Sequence, residues 1–250
     1  MKIVVIGGSG LIGSKLVKAC RAQGHEAISA SLDSGVNTLT GEGLAQSLTG
    51  ASVLVDVSNS PSFEDEAVMQ FFQTSTGNLL AGAAAAGLGH YVALSIVGAE
   101  GLPDSGYLRA KVAQEALIKK SSLPYSIVQS TQFFEFVKSI AAAATGHDNV
   151  VRVPPVLLQP IAGDDVAEAL AEIALGQARR GALEIAGPEQ IPFDAFMGRG
   201  LRAYRDTRKV IPDPRARYFG TELKERSLVP RAPSWLGKLR FDAWLSQLEP

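Results

Sequence analysis

The sequence predicts a doubly wound α/β fold, with a mostly parallel sheet and a small C-terminal lobe. Three observations carry this. Short apolar runs alternate with helical periodicity through roughly the first 130 residues. A glycine-rich turn joins the first of these runs to the first helical stretch. After about residue 132 the rhythm changes, and the final stretch from 205 becomes richer in Arg and Pro.

"KIVVI" (2–6) reads as a buried strand of β-branched residues ending in glycines. Residues 11–23 set Leu11, Ile12, Leu16, Val17 and Cys20 on one helical face, and Gly24 is a natural stop. "EAISASL" (26–32) is a second strand, followed by a weak strand near 36–40 and a short helix over 42–49. "SVLVDVS" (52–58) is a central strand. Residues 64–86 form a long helix whose apolar side draws on Phe63, Val68, Phe71, Phe72 and Leu79. "YVALSIV" (91–97), a helix over 107–120 and "YSIVQST" (125–131) complete the alternation. Such order implies parallel strands joined by right-handed crossovers. Beyond it come a helix at 132–145, "VVRVPP" (150–155), "LLQPI" (157–161), a helix at 163–175 with acidic residues at its positive end, a strand at 181–187 and a helix at 192–204. Trp235 and Trp244 are the expected anchors of the tail. Residues 1–150, completed by 156–187, are read as the main body, and 188–250 as a lobe over its crevice.

Composition narrows the function classes. The chain of 250 residues is 46% hydrophobic and 20% charged, with a net charge of −1. No basic run suggests nucleic acid or an anionic membrane surface. The lone Cys20 falls on an apolar helix face, which suits core packing in a reducing cytoplasm. No secretory or membrane-spanning signal is visible, so the expected location is cytoplasmic. His25, His90 and His147 are scattered without ligand spacing, so no metal site is expected.

"VVIGGSGLIGSKLV" carries Gly7, Gly10 and Gly13 in the spacing G-x-x-G-x-x-G between a strand and a helix. Such glycines turn the chain, admit a pyrophosphate to the backbone and let the helix pack on the strand. The helix start offers free amides and a positive dipole end to phosphates. Ser9, Leu11 and Ile12 belong to this loop and helix start.

Tyr107 and Lys111 in "SGYLRAK" share a helical face. Alone, such a spacing arises by chance about one time in five at this composition. Its position gives it weight. The pair follows the strand that ends near Ser95, in a sheet whose ligand side lies beyond the strands' carboxyl ends. Together these motifs resemble the atypical short-chain dehydrogenase/reductases with a Rossmann fold, in their NmrA-like branch of NAD(P)H-binding oxidoreductases. The resemblance covers roughly residues 1–190, including "LLQPIAGDDVAEAL".

The resemblance implies chemistry. Tyr107 would pass a proton to or from a substrate oxygen, Lys111 would lower the phenol's pKa and hold the nicotinamide ribose, and Ser95 would bind the substrate carbonyl. Val57, Ser58 and Asn59 would line the cofactor's ribose side. Ser31 stands where an acidic residue would select NAD(H), with Asp33 two residues on; no Arg follows, and Lys15 is the nearest clamp for a 2′-phosphate. NADP(H) is favoured and NAD(H) remains open. Gln132, Phe133 and Phe134, where many extended relatives carry Arg-Pro, would face the substrate. An aromatic-lined pocket suits a quinone or aromatic ketone better than a sugar nucleotide. The leading expectation is an NAD(P)H-dependent reductase of such carbonyls, working as a monomer or homodimer. The alternatives are a dinucleotide-binding sensor without turnover, an epimerase, or a tailoring enzyme in polyketide hydroxylation.

Overall fold

The computed structural model describes residues 1–248. Its first regular elements are β1 (Lys2–Ile6), α1 (Leu11–Ala22), β2 (Glu26–Ala30), α2 (Leu44–Leu48) and β3 (Val53–Asp56). Then follow α3 (Asp65–Ala85), β4 (His90–Ile96), α4 (Gly106–Lys120) and β5 (Tyr125–Ser130). Next come α5 (Val137–Ala144), β6 (Val150–Val153), β7 (Leu157–Leu158), α6 (Gly163–Leu175) and β8 (Gly181–Ala186). The chain ends through β9 (Ile191–Pro192), α7 (Phe193–Ala203), β10 (Lys209–Pro212), β11 (Trp235–Leu236) and α8 (Phe241–Leu245).

Seven strands form one sheet in the order β2-β1-β3-β4-β5-β8-β11, and every pairing within it is parallel. Successive side chains of a strand point to opposite faces, so apolar runs such as "KIVVI" feed two cores at once. Ile3 and Val5 meet Leu16 and Cys20 of α1 and Leu170 of α6 on one face. Val4 and Ile6 meet Leu48 of α2 and Leu79 of α3 on the other. A third core joins α5, α7 and α8 around Phe134, Phe196, Phe241 and Trp244. Both tail tryptophans anchor: Trp244 enters this third core, and Trp235 adds β11 beside β8 while its indole N–H donates to Glu172 at 3.1 Å.

Three local expectations are corrected. Residues 36–40 make no strand. Gly35, Gly41 and Gly43 all have positive φ and bend this stretch, and the Asn78 amide donates to the Thr38 and Leu39 carbonyls at 2.8 and 3.1 Å. The predicted helix at 132–145 begins only at Val137, after a tight turn over Phe134–Phe136. The acids opening α6 do not cap it. Glu135, from outside the helix, accepts from the Gly163 amide at 3.0 Å, while Asp165 accepts from the amides of Lys238 and Leu239, each at 3.0 Å, and so ties down the tail. No helix among the described residues is long and apolar enough to cross a membrane.

Candidate cofactor and substrate crevice

A cavity of about 970 Å³ opens at the carboxyl ends of β1, β3, β4 and β5. The glycine loop forms one end. Gly7 takes φ +75° directly after β1, and the Gly10 amide closes the turn onto the Gly7 carbonyl at 3.0 Å. Gly13 packs rather than lines: a Cβ there would stand 2.1 Å from the Gly7 oxygen. Gly8, which the sequence pattern did not single out, is equally constrained, since its Cβ would meet the Ser29 hydroxyl at 2.5 Å.

α1 opens without a side-chain cap and without an acidic residue in its first turn. Its leading amides therefore keep free N–H groups beside Gly7, Ser9, Gly10, Leu11 and Ile12, all of which line the cavity. This uncapped, glycine-bared helix start fits the pyrophosphate of a dinucleotide. Ser31, Leu32 and Asp33 border the same end. The Ser31 hydroxyl accepts from the Ser9 amide at 3.2 Å, which braces the loop against β2. Lys15, the nearest clamp for a 2′-phosphate by sequence, lies outside the cavity lining and pairs with Asp164 at 2.7 Å.

Val57, Ser58 and Asn59 follow β3 along the cavity wall, and Ser95 is the last but one residue of the neighbouring β4. α4 starts on Ser105, whose hydroxyl accepts from the Leu108 amide at 3.5 Å. That start is fixed tightly to α3, because a Cβ on Gly106 would sit 1.8 Å from an Asp65 oxygen. Tyr107 and Lys111 both reach the cavity from this helix. The Tyr107 hydroxyl donates to the Asn59 side-chain oxygen at 3.0 Å. Its ring leans on Phe63 and Phe72, with centroids 5.4 and 6.1 Å away. The Ser95 hydroxyl is buried and has no hydrogen-bond partner.

Lys111 is more deeply built in than its spacing suggested. Its ammonium donates to the Leu94 carbonyl at 2.8 Å and to the Gln114 side-chain oxygen, and lies 4.4 Å over the Phe72 ring. The Gln114 amide in turn donates to Asp56 at 2.9 Å, and Asp56 also accepts from the Ser58 hydroxyl at 2.6 Å. Burial pulls Lys111 down to about 8, against the opposing pull of Asp56 and Glu115. Burial pushes Tyr107 up to about 12. The expected lowering of the phenol by a neighbouring ammonium is therefore absent, because the Lys111 head is directed into its own network. Glu115, one turn beyond Lys111, is also buried and bonds Lys119 and Gln129, each at 2.9 Å.

At the far end, Gln132 and Phe133 line the cavity as expected, but Phe134 does not. It is buried against Phe241 and Trp244, with centroids at 5.0 and 5.6 Å. The tight turn explains this, since residues three apart stand over one another in it. Phe136, not Phe134, joins Phe133 on the open side, their rings 5.0 Å apart. Phe63, Phe71, Tyr218, Phe219 and Leu228 close the walls. Tyr218 arrives from the tail, is half-buried beside Tyr107 and Gln132, and desolvation pushes its phenol well up. Sequence reasoning missed it, and "RYFG" carries no pattern that would single it out.

No family model matches the chain. Among curated proteins, the photosystem II assembly factor Ycf39 of Cyanophora paradoxa is 26% identical over 149 residues. That match covers 54% of this chain and 46% of the relative, so it spans about half of that protein's length. Among solved structures, MoeE5 in complex with UDP-glucose and NAD superposes with a TM-score of 0.75 at 16% identity, over 98% of this chain and 96% of that one. A short-chain dehydrogenase/reductase superfamily protein from Agrobacterium tumefaciens with bound NAD gives 0.74 at 14% identity, over 99% and 95%. A dTDP-4-dehydrorhamnose reductase from Clostridium acetobutylicum gives 0.66 at 16%, over 95% and 90%. With strand order, glycine turn and near-complete superposition in agreement, this chain has the fold of the short-chain dehydrogenase/reductase superfamily.

Proposed function

We propose that the protein is a nicotinamide-dinucleotide-dependent reductase of an aromatic carbonyl compound, a quinone or an aromatic ketone. One observation carries the reading: Tyr107, Lys111 and the unpartnered Ser95 hydroxyl line the same cavity as the glycine loop. Gly7, Ser9, Gly10, Leu11, Ile12 and Ser31, together with Val57, Ser58 and Asn59, would hold a nicotinamide dinucleotide, which when bound would supply hydride to a carbonyl carbon. Ser95 donates to the carbonyl oxygen and orients it. Tyr107, protonated throughout the neutral range, delivers the proton that turns this oxygen into a hydroxyl. Lys111 keeps a third N–H for the ribose beyond its two protein contacts, and its positive charge favours negative charge building on the substrate oxygen.

Phe63, Phe71, Phe133, Phe136 and Phe219 favour a flat apolar substrate. Although MoeE5 is seen with UDP-glucose, the substrate end of this crevice offers no Arg for a diphosphate, and Lys111 is the one cation among its lining residues. For the dinucleotide, Lys15 is engaged by Asp164 and Asp33 stands at the rim, so the geometry favours NAD(H) over the NADP(H) expected from sequence. A thermal-shift comparison of NADH, NADPH and a panel of quinones and aryl ketones tests the reading. Stabilisation by a dinucleotide, increased further by an aromatic carbonyl, supports it. Stabilisation by UDP-sugars instead would overturn the substrate class.

A further inference from the structure

The cavity's polar groups are few, and most are already engaged. The Ser58 hydroxyl donates to Asp56, that of Ser130 to the Thr131 carbonyl at 3.0 Å, and that of Thr131 to the Gln159 carbonyl at 2.7 Å. Two buried lining groups remain without a partner: the Ser95 hydroxyl and the Gln132 side-chain oxygen, on residues 3% and 6% exposed. The first answers a carbonyl. The second is an acceptor with no hydrogen to give, and the Tyr218 phenol beside it does not satisfy it. Among the described residues no group donates to this oxygen, in a wall otherwise made of Phe133, Phe136, Phe219 and Leu228.

We propose that the substrate carries a hydrogen-bond donor as well as its reducible carbonyl, and that Gln132 recognises this donor. The class is a hydroxyl-bearing aromatic ketone or quinone, with Ser95 and Tyr107 on the carbonyl and Gln132 and Tyr218 on the hydroxyl. This rests on reading the crevice as an aromatic-carbonyl site. A donor that reaches Gln132 relieves a buried unsatisfied acceptor, and a ligand without one leaves it unsatisfied. Gln132 therefore sets specificity rather than rate.

The test is calorimetric binding of acetonaphthone, its ring-hydroxylated isomers and the matching methoxy ethers to the NAD⁺-loaded full chain. At least one hydroxy isomer is expected to bind on the order of tenfold tighter than the parent, with its methoxy ether no tighter than the parent. In Gln132→Leu, similar in size, the hydroxy-to-parent ratio should fall to about one. If that variant does not fold, Gln132→Glu keeps the acceptor and should keep the ratio. Equal binding of all three ligand types, tighter binding of an ether, a ratio that survives Gln132→Leu, or no binding at all overturns the inference. Following NADH absorbance with the same ligands separates the two readings. Turnover with a ratio of one would leave the reductase and remove the donor subsite. A tenfold ratio without turnover would do the reverse.

Discussion

At the scale of single residues, the site combines groups held in place with groups left open. Ser95 is the clearest open group. A buried hydroxyl without a partner is rare, and here it borders the cavity that Tyr107 also lines. Ser95→Ala should lower kcat roughly 10²-fold with little change in dinucleotide Kd, read by steady-state kinetics and titration. Gly13 is the clearest held group. Gly13→Ala places a methyl 2.1 Å from the Gly7 oxygen, so the loop must open. Dinucleotide affinity should fall at least tenfold, with destabilisation on the order of 2 kcal/mol in urea unfolding.

At the scale of elements, α4 matters through what it brings under β3 and β4. Asp56 ends β3, and Gln114, one turn beyond Lys111, couples it to the ammonium. Lys111 sits at about 8 where an ordinary Lys is near 10.5. With the folded value below the unfolded one, the unfolded chain binds more protons between about pH 8 and 10.5. Stability therefore rises with pH through that window, by about 2 kcal/mol between pH 7 and 9.5. Lys111→Met should flatten this slope in urea melts. In the wild type, reduction should decline as pH rises through about 8, where the charge is lost. Asp56→Asn removes a group that holds Lys111 charged, so that limb should move to lower pH. The third core gives a packing prediction. Phe241 is fully buried between Phe196, centroids 4.5 Å apart, and Phe134, and Phe241→Ala should cost about 3–5 kcal/mol in denaturant unfolding.

At the scale of the whole molecule, what was legible in the sequence is what depends on near neighbours in the chain. The glycine turn, the strand–helix alternation and the Tyr107–Lys111 face are written within one or two turns of each other. The missing strand at 36–40 was not legible, because its carbonyls are bonded by Asn78 in α3, 40 residues on. The same holds for the Asp56–Gln114 link, which spans 58 residues, and for Tyr218, which closes the crevice from the tail. Phe134 turns inward and Phe136 outward because a tight turn, rather than a helix or a strand, decides which ring faces out. The end of the crevice around Gln132 and Tyr218 is the part built mainly from distant segments, and it was accordingly the part that spacing could least define.

If the proposed function holds, the crevice reduces a carbonyl with Tyr107 as its proton donor. The most direct measurement is the rate of NADH or NADPH oxidation by the purified protein with an aryl ketone, in wild type and Tyr107→Phe. Turnover should fall roughly 10²–10⁴-fold in the variant while the dinucleotide still binds. A variant that turns over the ketone as fast as wild type would contradict it, and so would tight dinucleotide binding with no ketone reduced by either protein.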